Sequence, residues 1–196
     1  MAQVTPGDIK TLRDRTGLSV MDCKHALEQA EGDMDKALII LRKKSSAAAA
    51  KKAERSLGAG VVQAYIHASK DVGAIVLLSC ETDFVAKNEE FVTLARDIAM
   101  HATATNPEFI KRSDVKEESL VKARQLFEAE AADKPADKRE TIVAGKIDSY
   151  LKERVLLDQP FIKDSSVTVQ DLVERATQKF GERIEVSECV RMSVRG

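Results

Sequence analysis

Residues 42–56 read RKKSSAAAAKKAERS, without one large apolar side chain. Alanine and lysine favour helix. A helix with no apolar stripe, however, has nothing to hold it against a core. The stretch therefore reads as a solvent-exposed helical linker. It divides the chain into residues 1–44, a linker over 45–57, and residues 58–196.

The first part carries the punctuation of three short helices. Thr5 precedes Pro6, with Asp8 three residues on: a cap, then a residue suited to the first helical position. Ile9 and Leu12 supply an inner face, and Gly17 ends the helix. Ser19 with Asp22 repeats the pattern. Met21, Ala26, Leu27 and Ala30 follow, and Gly32 stops the second helix. Asp33 caps a third, with Ala37, Ile40 and Leu41 inside. A three-helix module of this size is a common binding unit and is too small to hold an enzyme cleft.

Past the linker the hydrophobic period changes. Residues 60–67 and 72–80 are rich in β-branched side chains and flank Ser69, Lys70 and Asp71, which predicts a β-hairpin. The second strand, GAIVLLSC, is nearly all apolar, so both its faces are expected to be covered. Asn88 caps a long helix with Phe91, Leu94, Ala95, Ile98, Ala99 and Ala102 inside, ended by Asn106-Pro107. Two more helices are expected near 117–132 and 137–157, and Pro160 breaks the chain again. Thr168 with Asp171 opens a further helix through Leu172, Val173, Ala176 and Phe180, which Gly181 closes. The last segment alternates as a strand. Ile184, Val186, Val190, Met192 and Val194 share one face, with Glu188 as the exception. The predicted fold class is α+β: a three-helix module, a helical linker, and a core of helices on a small three-stranded antiparallel sheet.

Composition narrows the function by exclusion. Residues 1–57 carry a net charge of +3 and the remainder −4, so the whole is −1. No global field draws in nucleic acid or an acidic membrane. No apolar run approaches the ~20 residues of a membrane span. The opening MAQVTPGDIKTLRDRTG lacks a hydrophobic signal region, so a cytoplasmic protein is expected. Cys23, Cys80 and Cys189 are far apart and odd in number, which suggests reduced thiols.

Motifs for chemistry fail in turn. There is no G-x-x-x-x-G-K-[ST] loop. Gly58-Ala59-Gly60 lacks the rest of a dinucleotide fingerprint and precedes a strand instead of following one. Cys23 and His25, two apart, fall on different helix faces, giving a buried thiol beside an exposed imidazole. His67 and His101 have no ligand spacing. Cys80 ends an apolar strand and reads as a small buried hydrophobe. No cofactor, no metal and no catalytic residue is expected. The chain reads as a binding protein, not an enzyme.

What remains is the turn Thr82-Asp83-Phe84-Val85-Ala86-Lys87, set between the end of a strand and a capped helix. Phe84 is one of six phenylalanines in a chain that is 4% aromatic and has no Trp. Two readings are open. Phe84 packs back into the core while Asp83 caps the turn, or Phe84 is an exposed anchor for a partner's pocket.

Three sets of residues occur in order along nearly the whole chain. The first is Leu12-Arg13-Asp14-Arg15-Thr16-Gly17 with Met21-Asp22-Cys23-Lys24, Ala26-Leu27 and Glu31-Gly32-Asp33. The second is Glu81-Thr82-Asp83-Phe84-Val85-Ala86-Lys87-Asn88. The third is Gly145-Lys146 with Val155-Leu156-Leu157-Asp158-Gln159-Pro160-Phe161. Together they resemble bacterial elongation factor Ts, the family of exchange factors for the GTPase elongation factor Tu.

The resemblance implies a ubiquitin-associated-like N-terminal module that docks on the partner through Arg13, Val20 and Met21. Val20 stands where some members have Met. It further implies that Thr82, Asp83, Phe84 and Val85 disturb the Mg²⁺ site of GDP-bound elongation factor Tu, so that GDP leaves and GTP enters. The chain lacks the second core subdomain of long members. It therefore resembles the short forms, for which a homodimer is expected. Cys189 falls opposite Ile184 and Val186 and is a candidate dimer contact. Two other classes remain in view: an adaptor built on the N-terminal module alone, and a thiol enzyme using Cys80.

Overall fold

The computed structural model describes residues 4–195. The outermost ends of the first and last sequence-assigned parts, residues 1–3 and 196, lie outside the described residues. The chain forms two compact units. One comprises Met1–Gln63, Leu77–Arg96 and Gln170–Ser187, the other Ala64–Val76, Asp97–Val169 and Glu188–Gly196.

The N-terminal helices α1 (Pro6–Thr16), α2 (Val20–Gln29) and α3 (Met34–Ala50) begin where the caps predict. Thr5 Oγ1 accepts from the Asp8 amide at 3.2 Å, and the Asp8 carboxylate accepts from the Thr5 amide at 3.0 Å. Ser19 Oγ accepts from the Asp22 amide at 3.1 Å. Asp33 Oδ1 accepts from the amides of Asp35 and Lys36. Each bond satisfies a helix N–H that has no partner within the helix. Leu12, Leu18, Cys23, Leu27, Ala37 and Leu41 close the module's core.

α3 does not stop at residue 44. It continues through the alanine-rich stretch to Ala50. Nor is that stretch exposed throughout: Ser45 is only 1% exposed. Polar side chains hold it against α8 (Val169–Phe180). Ser45 Oγ donates to Gln178, Ser46 Oγ to Glu174 at 3.4 Å, and Arg42 pairs with Asp171 at 3.0 Å. The absence of large apolar residues therefore removes hydrophobic anchoring from this helix without detaching it.

The fold class is α+β as expected. Strands β1 (Ala59–Ile66), β2 (Val72–Cys80) and β5 (Glu185–Ser193) form an antiparallel sheet in the order β1-β2-β5. β2 buries Ala74, Val76, Leu78 and Cys80, and Ser79 is also buried. Ile75 is exposed, so the expected two-sided cover holds only toward the strand's C-terminal end. On β5 the expected single inner face divides. Ile184 and Val186 are buried, whereas Val190, Met192 and Val194 are exposed. Glu188, the polar exception on that face, marks where the face turns to solvent.

A four-residue helix α4 (Asp83–Ala86) follows β2 and leads into α5 (Glu89–Thr105). Asn88 Oδ1 accepts from the Glu90 amide at 2.9 Å and opens α5. Phe91, Ala95, Ile98, Ala99 and Ala102 are buried along it. Next come α6 (Glu117–Glu130) and α7 (Ala136–Arg154). They are paired, with Phe127 edge-on to Tyr150 at 6.2 Å. α7 ends at Arg154, and a 3-10 turn over Leu156–Asp158 replaces its expected last residues. A small ribbon of β3 (Pro160–Phe161) and β4 (Asp164–Thr168), not signalled by the sequence, precedes α8.

Candidate partner-binding site

The site is built from the turn after β2. Thr82 has extended backbone (φ −129°, ψ 153°), and the next four residues coil into α4. The Ala86 amide donates to the Thr82 carbonyl at 3.2 Å and the Lys87 amide to the Asp83 carbonyl at 3.1 Å. One turn of helix points its four side chains in different directions. Val85 and Ala86 are buried and seat the turn. Asp83 and Phe84 are left on the outside. Phe84 is 84% exposed, so the reading in which it packs into the core does not hold. Asp83 pairs with Lys87 at 3.6 Å with both side chains exposed, a contact of little energetic weight.

Phe84 thus holds its ring in water. Removing it from water releases about 2 kcal/mol. The ring is unsupported, yet its base is held. Glu182 accepts from the amides of Glu81 and Thr82 at 3.1 and 3.0 Å, and from the Thr82 hydroxyl at 2.6 Å. Glu81 in turn accepts from the Arg183 amide and from Arg55 Nη1 at 3.3 Å. The bond from the Arg183 amide, and then that from Arg55, holds the Glu81 carboxyl below its ordinary pKa. Sequence reading missed Glu182 and Arg183. Each lies about a hundred residues from its partner, and no local motif links them.

The second candidate surface is on the N-terminal module. Arg13, Val20 and Met21 are all exposed. Arg13 and Val20 line one pocket of about 470 Å³, together with Ser19 and Lys179. Met21 turns outward, while Cys23, Ala26 and Leu27 of the same helix face the core. Val20 and Met21 thus leave an exposed apolar pair at the start of α2, with Arg13 beside Val20 in the same pocket.

Cys80 is buried and its thiol donates to the Thr82 carbonyl at 3.3 Å. Burial, reinforced by the negative charge of Glu182, pushes its pKa up. A thiolate nucleophile is thus disfavoured at this position. Burial also raises the pKa of Cys189, which is half-buried. Cys23 is buried beside an exposed His25, as the sequence indicated, and His101 is buried with its ring hydrogen-bonded to Gln159. Among the described residues, no group of three or more His, Cys, Asp or Glu could hold a metal ion.

The family model described as Elongation factor TS matches residues 28–195. The chain belongs to this family. Elongation factor Ts of Carboxydothermus hydrogenoformans is 48% identical over 193 residues, covering 97% of this chain and 89% of that protein. Elongation factor Ts of Moorella thermoacetica is 46% identical, with 97% and 95% covered. That of Thermosipho melanesiensis is 44% identical, with 95% and 96% covered. Membership of the elongation factor Ts family makes the chain a translation elongation factor. The turn with Phe84 lies inside the matched range, whereas Arg13, Val20 and Met21 precede it.

Proposed function

We propose that this elongation factor Ts family member is a guanine nucleotide exchange factor. It binds GDP-bound elongation factor Tu, disturbs its Mg²⁺ site and promotes replacement of GDP by GTP. The observation that carries the reading is the exposure of Phe84 on a short helix seated by Val85 and Ala86. Thr82, Asp83, Phe84 and Val85 form the wedge. Arg13, Val20 and Met21 form a second contact on the N-terminal module.

The physical logic needs no bond to break in this chain. Mg²⁺ neutralises phosphate charge and supplies much of a GTPase's hold on its nucleotide. An apolar ring pushed between elements near that ion displaces its ligands and lowers GDP affinity. The factor and the nucleotide then weaken each other's binding by the same amount, because the coupling is reciprocal. Abundant GTP completes the cycle. On this reading the protein is no enzyme, needs no cofactor, touches neither nucleic acid nor membrane, and works in the cytoplasm. Among the described residues, no helix is long and apolar enough to cross a membrane.

Release of a fluorescent GDP analogue from elongation factor Tu tests the reading. Added protein should accelerate release, and Phe84→Ala should remove most of that acceleration at matched concentration. Equal acceleration by the variant would refute the role of Phe84.

The homodimer belongs to the same proposal. Ile66, Ile75, Val190, Met192 and Val194 line an open apolar cavity of about 370 Å³. Met192 is 71% exposed there. An apolar sheet surface of this kind suits a second copy of the chain. Cys189 lies on the other side of β5 by alternation, so a disulfide and an apolar contact are separable modes. Light scattering with and without reductant distinguishes them. A monomer under both conditions would refute the dimer.

A further inference from the structure

We infer that Glu182 is a positioning residue for Phe84: its carboxylate fixes the entry to the four-residue helix that carries the exposed ring. The inference rests on the wedge role proposed for Phe84.

A helix of four residues cannot hold itself in water, because nucleation costs more than its few hydrogen bonds return. α4 also lacks the usual aid. Thr82 stands at its N-cap but makes no side-chain bond to the helix. The Thr82 hydroxyl turns away and donates to Glu182 Oε1. The amides of Glu81 and Thr82 both donate to Glu182 Oε2. Three charge-assisted bonds, stronger than neutral ones, thus converge on the two residues that set the direction of α4.

Glu182 arrives there for a local reason. Gly181 has φ +74°, a left-handed conformation that glycine adopts without strain. The chain leaves α8 through that residue, and Glu182 follows at once. The next residue returns the bond, since the Arg183 amide donates to Glu81. Arg55 Nη1 reaches both the Glu81 carboxylate and the Gly181 carbonyl, at 3.3 and 3.4 Å. Segments 81–82 and 181–183 are therefore clasped reciprocally. Val85 and Ala86 secure the underside of α4, and Glu182 secures its entry. A flexible base would let the ring fold aside on contact; a fixed base transmits the push.

Two measurements on the full chain test this. In Glu182→Ala, the amides of Glu81 and Thr82 should exchange with solvent about tenfold faster or more, while those of Leu78 and Val186 keep their rates. In GDP release from elongation factor Tu, Glu182→Ala should lower the maximal rate about tenfold. Glu182→Gln, which keeps an acceptor oxygen, should recover part of it. The double variant with Phe84→Ala should be no slower than Phe84→Ala alone, since both changes remove one device. Unchanged exchange at Glu81 and Thr82, or additive losses in the double variant, would overturn the inference. So would loss of protection throughout the sheet in both Glu182→Ala and Glu182→Gln, which would make Glu182 a residue of the fold at large. If Phe84→Ala releases nucleotide like the unaltered protein, the wedge reading fails by itself. The exchange rates then still decide whether Glu182 fixes the turn.

Discussion

The buried imidazole of His101 donates through Nε2 to Gln159 Oε1 at 2.9 Å. Its Nδ1 accepts from the Ile162 amide at 3.3 Å. Gln159 is oriented for this role, because its amide nitrogen donates to the Glu153 carbonyl at 2.7 Å and its oxygen also accepts from Thr105. The pair ties α5 to the segment after α7 and holds the imidazole in one neutral tautomer.

Protonation would place a second proton on Nδ1, facing an N–H. Burial moreover lowers the His101 pKa, with the Gln159 bond only partly opposing. The folded pKa is thus below the unfolded value of about 6.5. Above that value both states are neutral and the stability is fully present. As pH falls below it, the unfolded chain binds the proton first and stability is lost. Thermal melting at pH 7.5 and 5.5 should show a lower midpoint in acid, and His101→Gln should narrow the gap. An equal gap in the variant would show that other groups carry the effect.

Phe84→Ala should separate function from stability. The ring touches little of its own protein, so its removal should change unfolding free energy by no more than about 0.5 kcal/mol. Stimulated nucleotide release should fall about tenfold or more, as for a central anchor of an interface. Urea denaturation and the release assay on one preparation check both halves. A large loss of stability would mean that the ring packs on its own chain in solution.

What was legible in the sequence was local. Thr5, Ser19 and Asp33 bond amides two or three residues away, so their spacing announced three helix starts. Ser45 and Glu182 act on partners a hundred residues or more distant, and no spacing rule encodes such pairs. The exposure of Phe84 was illegible for a related reason. It depends on Val85 and Ala86 being the pair that turns inward, which only the surrounding packing decides. On β5 the alternation was read correctly, but period alone cannot say which stretch of a face is covered. Val186 and Met192 share a face, and only the first is buried.

Ser45 offers a test of the polar seam between α3 and α8. Its hydroxyl donates to Gln178, whose amide nitrogen reaches Asp22 at 3.3 Å. Ser45→Ala leaves the Gln178 oxygen without that donor and should cost about 1 kcal/mol. Ser45→Leu must fit a larger side chain where almost no surface is accessible and should cost about 1–3 kcal/mol. Urea unfolding midpoints measure both. If the leucine variant matches the unaltered protein, the seam is loose in solution.

Two glycines should respond in opposite directions to the same substitution. A Cβ on Gly60 would lie 2.7 Å from the Leu78 carbonyl oxygen and 3.0 Å from the Ser79 Cα. Both neighbours are backbone of the paired strand, so they cannot swing aside, and β1 and β2 would have to part. Gly60→Ala should therefore destabilise by about 1–3 kcal/mol. Gly145 lies within α7, and a Cβ there would meet nothing within 4 Å. Its substitution removes unfolded-chain freedom without a clash, so Gly145→Ala should stabilise by about 0.5–1 kcal/mol. Urea unfolding of the two variants gives the signs directly. A stabilised Gly60→Ala would mean that the two strands are further apart at Leu78 than the structure has them.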